Sequence, residues 1–175
     1  MSKLLNIGIA ASSQVSDSKI AERFVNSLPQ NSRLIVGGYW GLMKDVADSA
    51  SKRGIQVVFI LPSEPKARPP QTREFISVDT GMEFRARSVL ICRSCDVLVA
   101  LGGEVGTMIE IFMAYAMGKP VIVLTGKGFS SDKIKACFGD TLDSRATGRI
   151  YYVDTPEEAA KLAMTLQSKD IVEMG

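Results

Sequence analysis

The sequence contains no histidine, and this absence removes the side chain that most often serves as a general base near neutral pH. A serine nucleophile activated by histidine is excluded for the same reason. Any acid–base chemistry in this chain must therefore fall to carboxylates, lysines or tyrosines.

Cysteine is scarce too, since the 175 residues include three. An odd number of cysteines fits a reducing compartment, where disulfides do not form. Cys92 and Cys95 form a CxxC pair, but the sequence has no second pair, and this one precedes a predicted strand instead of opening a helix. We expect both thiols to be small apolar groups on a buried helix face. No metal and no cofactor are assigned.

The chain also lacks strong charge and long apolar runs. A net charge of +2 is too small to indicate nucleic acid as a partner. No apolar run reaches the length of a membrane span, and the N-terminal MSKLLNIGIAA is too short for a signal peptide. These features predict a cytoplasmic protein with no membrane partner. The length fits one domain, predicted over residues 1–167, followed by a frayed tail at 168–175.

The stretch from Val97 to Pro120 is the most informative part of the sequence. Val97–Leu101 is a continuous apolar run bounded by glycines, as in a strand buried on both faces of a parallel sheet. The glycines at 102, 103 and 106 predict a tight turn, and the run Thr107–Met117, which contains no helix breaker, predicts a helix. Backbone N–H groups at such a helix start favour an anion.

Two side chains strengthen the prediction of a ligand at this turn. Thr107 can cap the helix or bond a phosphate oxygen, and Glu110 lies one helical turn further on, facing the same side. The alternative for Glu110 is a carboxylate that only complements the helix dipole.

Apolar strands alternate with helices along the rest of the chain, without repeats or a domain linker. This alternation predicts an α/β fold of three layers, with a doubly wound, mostly parallel sheet of about seven strands. Ligands in such sheets bind beyond the carboxyl ends of the strands. The other predicted strands are Leu4–Ala11, Arg33–Val36, Ile55–Leu61, Phe75–Val78, Pro120–Leu124 and Ile150–Val153. The first other predicted helix carries apolar residues at helical spacing from Ile20 to Leu28, and Ser16 or Asp17 can cap it. The remaining predicted helices are a segment ending at about Arg53, Met82–Ser94, Ser131 to about Phe138 and a segment capped by Thr155.

Three motifs occur in one order along this framework. The segment VGGYWGLMK at 36–44 forms a second glycine turn, and GGEVGTMIE at 102–110 forms the first. Arg87 lies nine residues before Asp96, which precedes the central strand. Together these motifs resemble GGGxxGLMG, an arginine and PGGxGTxxE of the Lonely Guy family, often labelled "possible lysine decarboxylase", whose relatives include the molybdenum cofactor carrier protein.

The resemblance implies a Rossmann-like fold, a homodimer or higher homo-oligomer, and no pyridoxal-dependent decarboxylation. Lonely Guy enzymes hydrolyse a nucleoside 5'-monophosphate to the free base and ribose 5-phosphate. At the matching positions the resemblance implies that Arg87 and Glu110 lie at the ribose and the glycosidic bond. The resemblance also implies that Gly103, Gly106 and Thr107 hold the phosphate. The full predicted ligand-binding set comprises Ser12, Gly37, Gly38, Gly41, Gly103, Glu104, Gly106 and Thr107.

This chemistry suits the two proposed catalytic residues. Cleavage of an N-glycosidic bond builds positive charge on the ribose, and a carboxylate such as Glu110 can stabilise that charge or relay a proton to or from water. Arg87 can orient Glu110 or hold a phosphate in bidentate fashion. The alternative is a surface arginine paired with Glu83.

Four positions depart from the family motifs: Val36, Lys44, Gly102 and Glu104. Glu104 matters most, because a carboxylate ~4 Å from a phosphate would cost roughly 4 kcal/mol at an effective dielectric constant of 20. Three alternatives avoid this cost. The Glu104 side chain turns away, a cation bridges the carboxylate and the phosphate, or the ligand is not a simple nucleotide monophosphate. The glycine–glutamate pair at this point resembles the branch nearer the carrier proteins.

Two functions therefore remain open at the level of sequence. One is a phosphoribohydrolase acting through Arg87 and Glu110. The other is a non-catalytic carrier or sensor of a phosphorylated ligand, a nucleotide or a molybdopterin. The central helix is apolar almost all round, so we also predict that its outer side packs against a two-fold partner.

Overall fold

The structure of the protein is a computed structural model that describes residues 4–166. Seven strands form a single sheet, and every neighbouring pair is parallel. The strands are β1 Leu5–Ala11, β2 Ser32–Val36, β3 Gln56–Leu61, β4 Phe75–Asp79, β5 Val97–Gly102, β6 Val121–Leu124 and β7 Ile150–Val153. Their order across the sheet is β4-β3-β2-β1-β5-β6-β7, which confirms the predicted doubly wound fold.

Six α-helices cover the two faces of the sheet. They are α1 Ser18–Asn26, α2 Gly41–Lys52, α3 Ser88–Ser94, α4 Val105–Ala116, α5 Lys133–Phe138 and α6 Pro156–Thr165, and a 3-10 turn occupies Ser130–Asp132. Helices α1, α2 and α6 pack on one face, and α3, α4 and α5 pack on the other. Within residues 4–166 no helix combines the length and the apolar character needed to cross a bilayer.

Strand β5 shows why the central apolar run has no polar positions. Val97, Val99 and Leu101 point into the core on the α1 side. Leu98 and Ala100 point into the core on the α4 side. All of them are fully buried, so both faces of the strand require apolar side chains.

The direction of winding reverses between β1 and β5, which are neighbours in the sheet. One flank continues through β2, β3 and β4, and the other continues through β6 and β7. The loops that leave the carboxyl ends of β1 and β5 must diverge here, and a crevice opens between them. Ser12 follows β1 and Gly103 follows β5, so both begin at this crevice.

The starts of α3 and α4 differ from the sequence-based prediction, and α5 begins at Lys133 after a 3-10 turn instead of at Ser131. The predicted helix Met82–Ser94 is wrong in its first half, because α3 begins only at Ser88. The Glu83 carboxylate accepts backbone N–H bonds from Arg85 at 2.8 Å and Ala86 at 2.5 Å, and these bonds stabilise a turn in place of a helix.

The central helix α4 begins at Val105, two residues before the predicted start at Thr107. Glu104 occupies the N-cap position without a side-chain capping bond. The suggestion that Thr107 caps the helix is therefore wrong, since Thr107 lies inside the first turn.

The helix starts at Asp17 and Thr155 agree with the sequence. Asp17 caps α1 by accepting a bond from the Ile20 N–H at 3.0 Å. Thr155 and Glu158 form a reciprocal capping box at the start of α6. The predicted frayed tail at 168–175 lies outside the described residues.

Candidate functional site

A cavity of about 360 Å³ opens at the reversal point of the sheet. Its walls come from the loops after β1 and β5, the start of α2, the turn before α3, and the proline-rich connector between β3 and β4. The lining residues include Ser12, Gln14, Trp40, Lys66, Phe84, Arg85, Arg87, Glu104, Gly106, Thr107 and Glu110. Five of the predicted ligand-binding or catalytic side chains thus share this cavity with Gly106.

Arg87 and Glu110 form an ion pair at the base of the cavity. Arg87 Nη1 lies 3.6 Å from Glu110 Oε1, and only 5% and 8% of these two residues are exposed. The Ser88 hydroxyl donates to the same carboxylate oxygen at 2.9 Å. The alternative of a surface arginine paired with Glu83 is wrong, because Arg87 turns inward at the N-cap position of α3.

Burial controls the ionisation of this pair. Removal from water raises the pKa of Glu110 above its ordinary value, although Arg87 and the Ser88 hydroxyl oppose the shift. Burial also lowers the pKa of Arg87, and the Glu110 charge counteracts that effect. Nε and Nη1 of Arg87 have no hydrogen-bond partner in the described chain, so this guanidinium has free donors beside the cavity. A buried carboxyl with a raised pKa beside a cleft is a functional-site feature.

The second glycine turn makes room for side chains instead of lining the cavity itself. A Cβ atom at Gly37 would lie 1.9 Å from Arg87 Nη1, and one at Gly38 would lie 2.2 Å from the Trp40 ring. Arg87 therefore reaches Glu110 only because residue 37 has no side chain. Gly37, Gly38, Gly41 and Gly103 are not among the lining residues of the cavity.

Gly41 and Ser12 join the loop after β1 to the start of α2. Gly41 has a φ of 55°, and a Cβ there would lie 2.4 Å from the Ser12 carbonyl oxygen. That carbonyl accepts a bond from the Leu42 N–H at 2.9 Å, and the Ser12 N–H donates to the Gly102 carbonyl at 2.9 Å. The Ser12 hydroxyl accepts the N–H groups of Gln14 and Val15. Ser12 thus holds the two glycine turns together at the cavity.

The first turn of α4 presents backbone N–H groups beside Gly106 and Thr107. The Thr107 hydroxyl packs against Gly103, where a Cβ would lie 2.2 Å from Oγ1. Thr107 is buried, but it still lines the cavity. Because α4 has 12 residues, its start carries the positive end of a substantial helix dipole.

Gly102 explains one departure from the family motif. Its φ is 109°, a value that proline cannot adopt because its ring fixes φ near −65°. The Phe129 ring fills the space beside it, since a Cβ at Gly102 would lie 2.3 Å from that ring. The family's proline does not fit this backbone.

Glu104 is exposed, and its carboxylate accepts a hydrogen bond from the Ser130 hydroxyl. The same residue still lines the cavity. The bond to the 3-10 turn holds the carboxylate beside Ser130, next to the start of α4.

Sequence reasoning missed three residues of this site: Lys66, Arg85 and Ser88. Ser88 follows Arg87 directly, and only the fold shows that it reaches Glu110. Arg85 and Lys66 both line the cavity. Lys66 lies in the proline-rich connector between β3 and β4, and only the fold brings it to the cavity.

Both cysteines of the CxxC pair are buried, as the sequence predicted. Burial raises the pKa of the Cys92 thiol, and it raises the pKa of Cys95 to about 11. The Cys92 thiol donates to the Glu110 carbonyl oxygen at 3.6 Å. Such thiols remain protonated near neutral pH and serve as packing groups.

The fold and the paired glycine turns define a Rossmann-like protein with a cavity at the sheet reversal. A family model for the SLOG cluster4 family matches residues 4–160, and the chain belongs to this family. The resemblance to the Lonely Guy group is thereby confirmed at the level of the LOG-like SLOG superfamily.

Relatives fall into two groups. An uncharacterized protein of Archaeoglobus fulgidus is 32% identical over 125 residues, which are 70% of this chain and 81% of the relative. The X-ray structure of protein TM1055 is 33% identical with a TM-score of 0.83, covering 92% of this chain and 99% of that chain.

The second group has the fold at lower identity. The molybdenum cofactor binding protein of Rippkaea orientalis is 22% identical with a TM-score of 0.72, covering 94% of this chain and 98% of its own. The molybdenum cofactor carrier protein of Chlamydomonas reinhardtii is 21% identical with a TM-score of 0.70, and the coverage is again 94% and 98%. These likenesses show a shared fold.

Proposed function

We propose that the protein is a phosphoribohydrolase that cleaves a nucleoside 5'-monophosphate to the free base and ribose 5-phosphate. The observation that carries this proposal is the buried Arg87–Glu110 pair at the base of a cavity that also receives the start of α4. A carboxylate and an anion-binding helix start in one small cavity are what this substrate requires.

The reaction needs water and no redox step. The C1'–N bond breaks, its electron pair leaves with the base nitrogen, and positive charge develops on the ribose ring. The ionised Glu110 stabilises that charge or takes a proton from the attacking water, whose oxygen forms the new bond to C1'. The base nitrogen gains a proton, and ribose 5-phosphate is released. Arg87 and Ser88 hold the carboxylate in position.

A second candidate is a carrier of a phosphorylated ligand such as a nucleotide or a pterin. Glu104 favours it, because a carboxylate at the start of α4 weakens the binding of a simple phosphate. The names of the molybdenum cofactor binding and carrier proteins with the same fold add support for a pterin. In this case Arg87 and Glu110 bind the ligand without chemistry.

We also propose a homodimer formed through the outer side of α4. Val105 is 62% exposed and Val89 on α3 is 40% exposed, and the neighbouring Phe112 is only half-buried. Phe138 at the end of α5 is 48% exposed and packs edge-on against Phe112. An apolar surface of this kind fits an isologous contact.

A panel of nucleoside 5'-monophosphates separates the two functions. We expect the purified protein to release free base from at least one member, detected by chromatography, with an equal amount of ribose 5-phosphate. Absence of release from every member, together with a pterin or nucleotide retained through purification, would instead establish the carrier.

A further inference from the structure

Arg85 lies directly over the glycine turn at the start of α4. A Cβ atom at Gly106 would lie 2.9 Å from Arg85 Nη1, so the exposed guanidinium lies close against this backbone. Within residues 4–166 the Arg85 side chain forms no salt bridge, and its charge acts on Glu83 and Glu110 only at longer range. The guanidinium is therefore available to a ligand.

Several positive groups meet in this part of the cavity. The start of α4 carries the positive end of the helix dipole, and a cation there is repelled. Arg87 adds a second positive group to the same cavity. It is only 5% exposed, and its Nε and Nη1 atoms have no hydrogen-bond partner within residues 4–166. An anion bound between Arg85 and the helix start would relieve this repulsion.

The two arginines differ in what they already contact. Arg87 is committed to Glu110 at 3.6 Å, so part of its charge is neutralised inside the protein. Arg85 forms no salt bridge within residues 4–166, and it lies at the start of α4, where Glu104 places a negative charge. A phosphate at Gly106 therefore needs Arg85 to offset Glu104.

We propose that Arg85 is the phosphate-binding side chain of this cavity and holds a dianionic phosphate monoester against Gly106. This assignment rests on the proposed function and deepens it, because it divides the two arginines by role. Arg85 binds the phosphate, and Arg87 positions Glu110. Lys66, on the connector between β3 and β4, adds a further positive charge to the same cavity. Ligands with a terminal phosphate are preferred over the corresponding phosphodiesters and nucleosides.

Calorimetric titration with ribose 5-phosphate tests the assignment, since this probe carries the phosphate but no base to cleave. Arg85→Ala should weaken binding about tenfold to a hundredfold, the loss expected for a charged hydrogen bond. Arg85→Lys should retain part of the affinity. The matched control is Arg23→Ala, which removes the same charge from α1, where Arg23 pairs with Glu157 outside the cavity.

Wild-type affinity in Arg85→Ala, or no binding of ribose 5-phosphate by the wild-type protein at millimolar concentration, would overturn the assignment. Steady-state kinetics test the Arg85 assignment separately from the proposed hydrolase function. An increase in KM with little change in kcat supports Arg85 as the phosphate contact. Arg85-dependent binding of AMP without any base release retains the assignment and rejects the hydrolase. Base release by the Arg85→Ala variant with an unchanged KM rejects the assignment of Arg85 and retains the hydrolase.

Discussion

Arg87 reaches Glu110 across the side-chain space that Gly37 leaves empty. The Nη1–Oε1 distance is 3.6 Å, and a Cβ at Gly37 would lie 1.9 Å from the same Nη1. The second glycine turn therefore shapes the site by admitting a guanidinium. Through Arg87, the motif at 36–44 therefore affects the position of Glu110 in the motif at 102–110.

Gly37→Ala is expected to displace Arg87 from Glu110. The new methyl group overlaps the guanidinium, and overpacking of this kind costs about 1–3 kcal/mol in free energy of unfolding. Base release per folded molecule should fall at least about tenfold, because Glu110 loses its positioning partner. Urea unfolding gives the stability, and base release at saturating AMP gives the activity.

Gly148→Ala is the matched control for this substitution. Its Cβ would lie 2.8 Å from the Tyr115 carbonyl oxygen, so it also overpacks the fold, but residue 148 does not line the candidate cavity. It should lower stability and leave base release per folded molecule unchanged. Equal losses of activity in both variants would show that Gly37 acts through stability alone.

The raised pKa of Glu110 predicts the direction of the pH dependence. Burial favours the protonated carboxyl, so Glu110 ionises at a higher pH than an exposed glutamate, whose pKa is about 4.3. Because the proposed cleavage uses the ionised form of Glu110, we expect kcat/KM to rise with pH through a midpoint above that value. A rate that falls across the same range would assign the protonated carboxyl as the active form.

The sequence predicted the fold well because the evidence for it is local. The apolar run Val97–Leu101 must be buried on both faces, and Thr155 with Glu158 marks a helix start without help from the rest of the chain. The start of α3 was mispredicted, because Glu83 caps a turn that precedes Ser88. These backbone bonds to the Glu83 carboxylate compete with helix formation, and the hydrophobic pattern of the sequence does not reveal them.

The motifs placed Arg87, Glu110 and Thr107 at one site, and in the structure all three line one cavity, while their roles in chemistry stay predictions. The sequence missed residues that reach the cavity because distant segments converge. Arg85 faces Gly106 because the turn before α3 packs over the start of α4, and spacing along the chain does not reveal this contact. The fit of Gly102 beside Phe129 depends on a positive φ that only the folded backbone shows.

Phe112→Glu tests the proposed dimer. A carboxylate at the centre of an apolar contact would be buried without a partner, so we expect a monomer mass by light scattering at micromolar concentration while the wild-type protein gives a dimer mass. Met164→Glu is the control, because Met164 is 39% exposed on α6 in the opposite layer. A monomeric wild-type protein would reject the contact outright.

Glu104 and Ser130 should affect phosphate binding in opposite directions. Glu104→Gly removes a negative charge near Gly106 and should strengthen AMP binding several-fold. Ser130→Ala releases the carboxylate from its hydroxyl partner and should weaken binding. Titration of both variants with AMP measures the two effects. Weaker binding in a well-folded Glu104→Gly variant would mean that Glu104 contacts the ligand through a cation or a hydroxyl.

The most direct test of the account is AMP hydrolysis by the wild-type protein and by Glu110→Gln. The amide keeps the shape of the side chain and can still accept the Ser88 hydroxyl, but it carries no charge to stabilise the ribose. We predict that the variant folds, as judged by circular dichroism, binds AMP in calorimetry, and releases base at least about a hundredfold more slowly than the wild-type protein. Equal rates of base release in the two proteins, or no release by the wild-type protein from AMP or any other nucleoside 5'-monophosphate, would contradict the account.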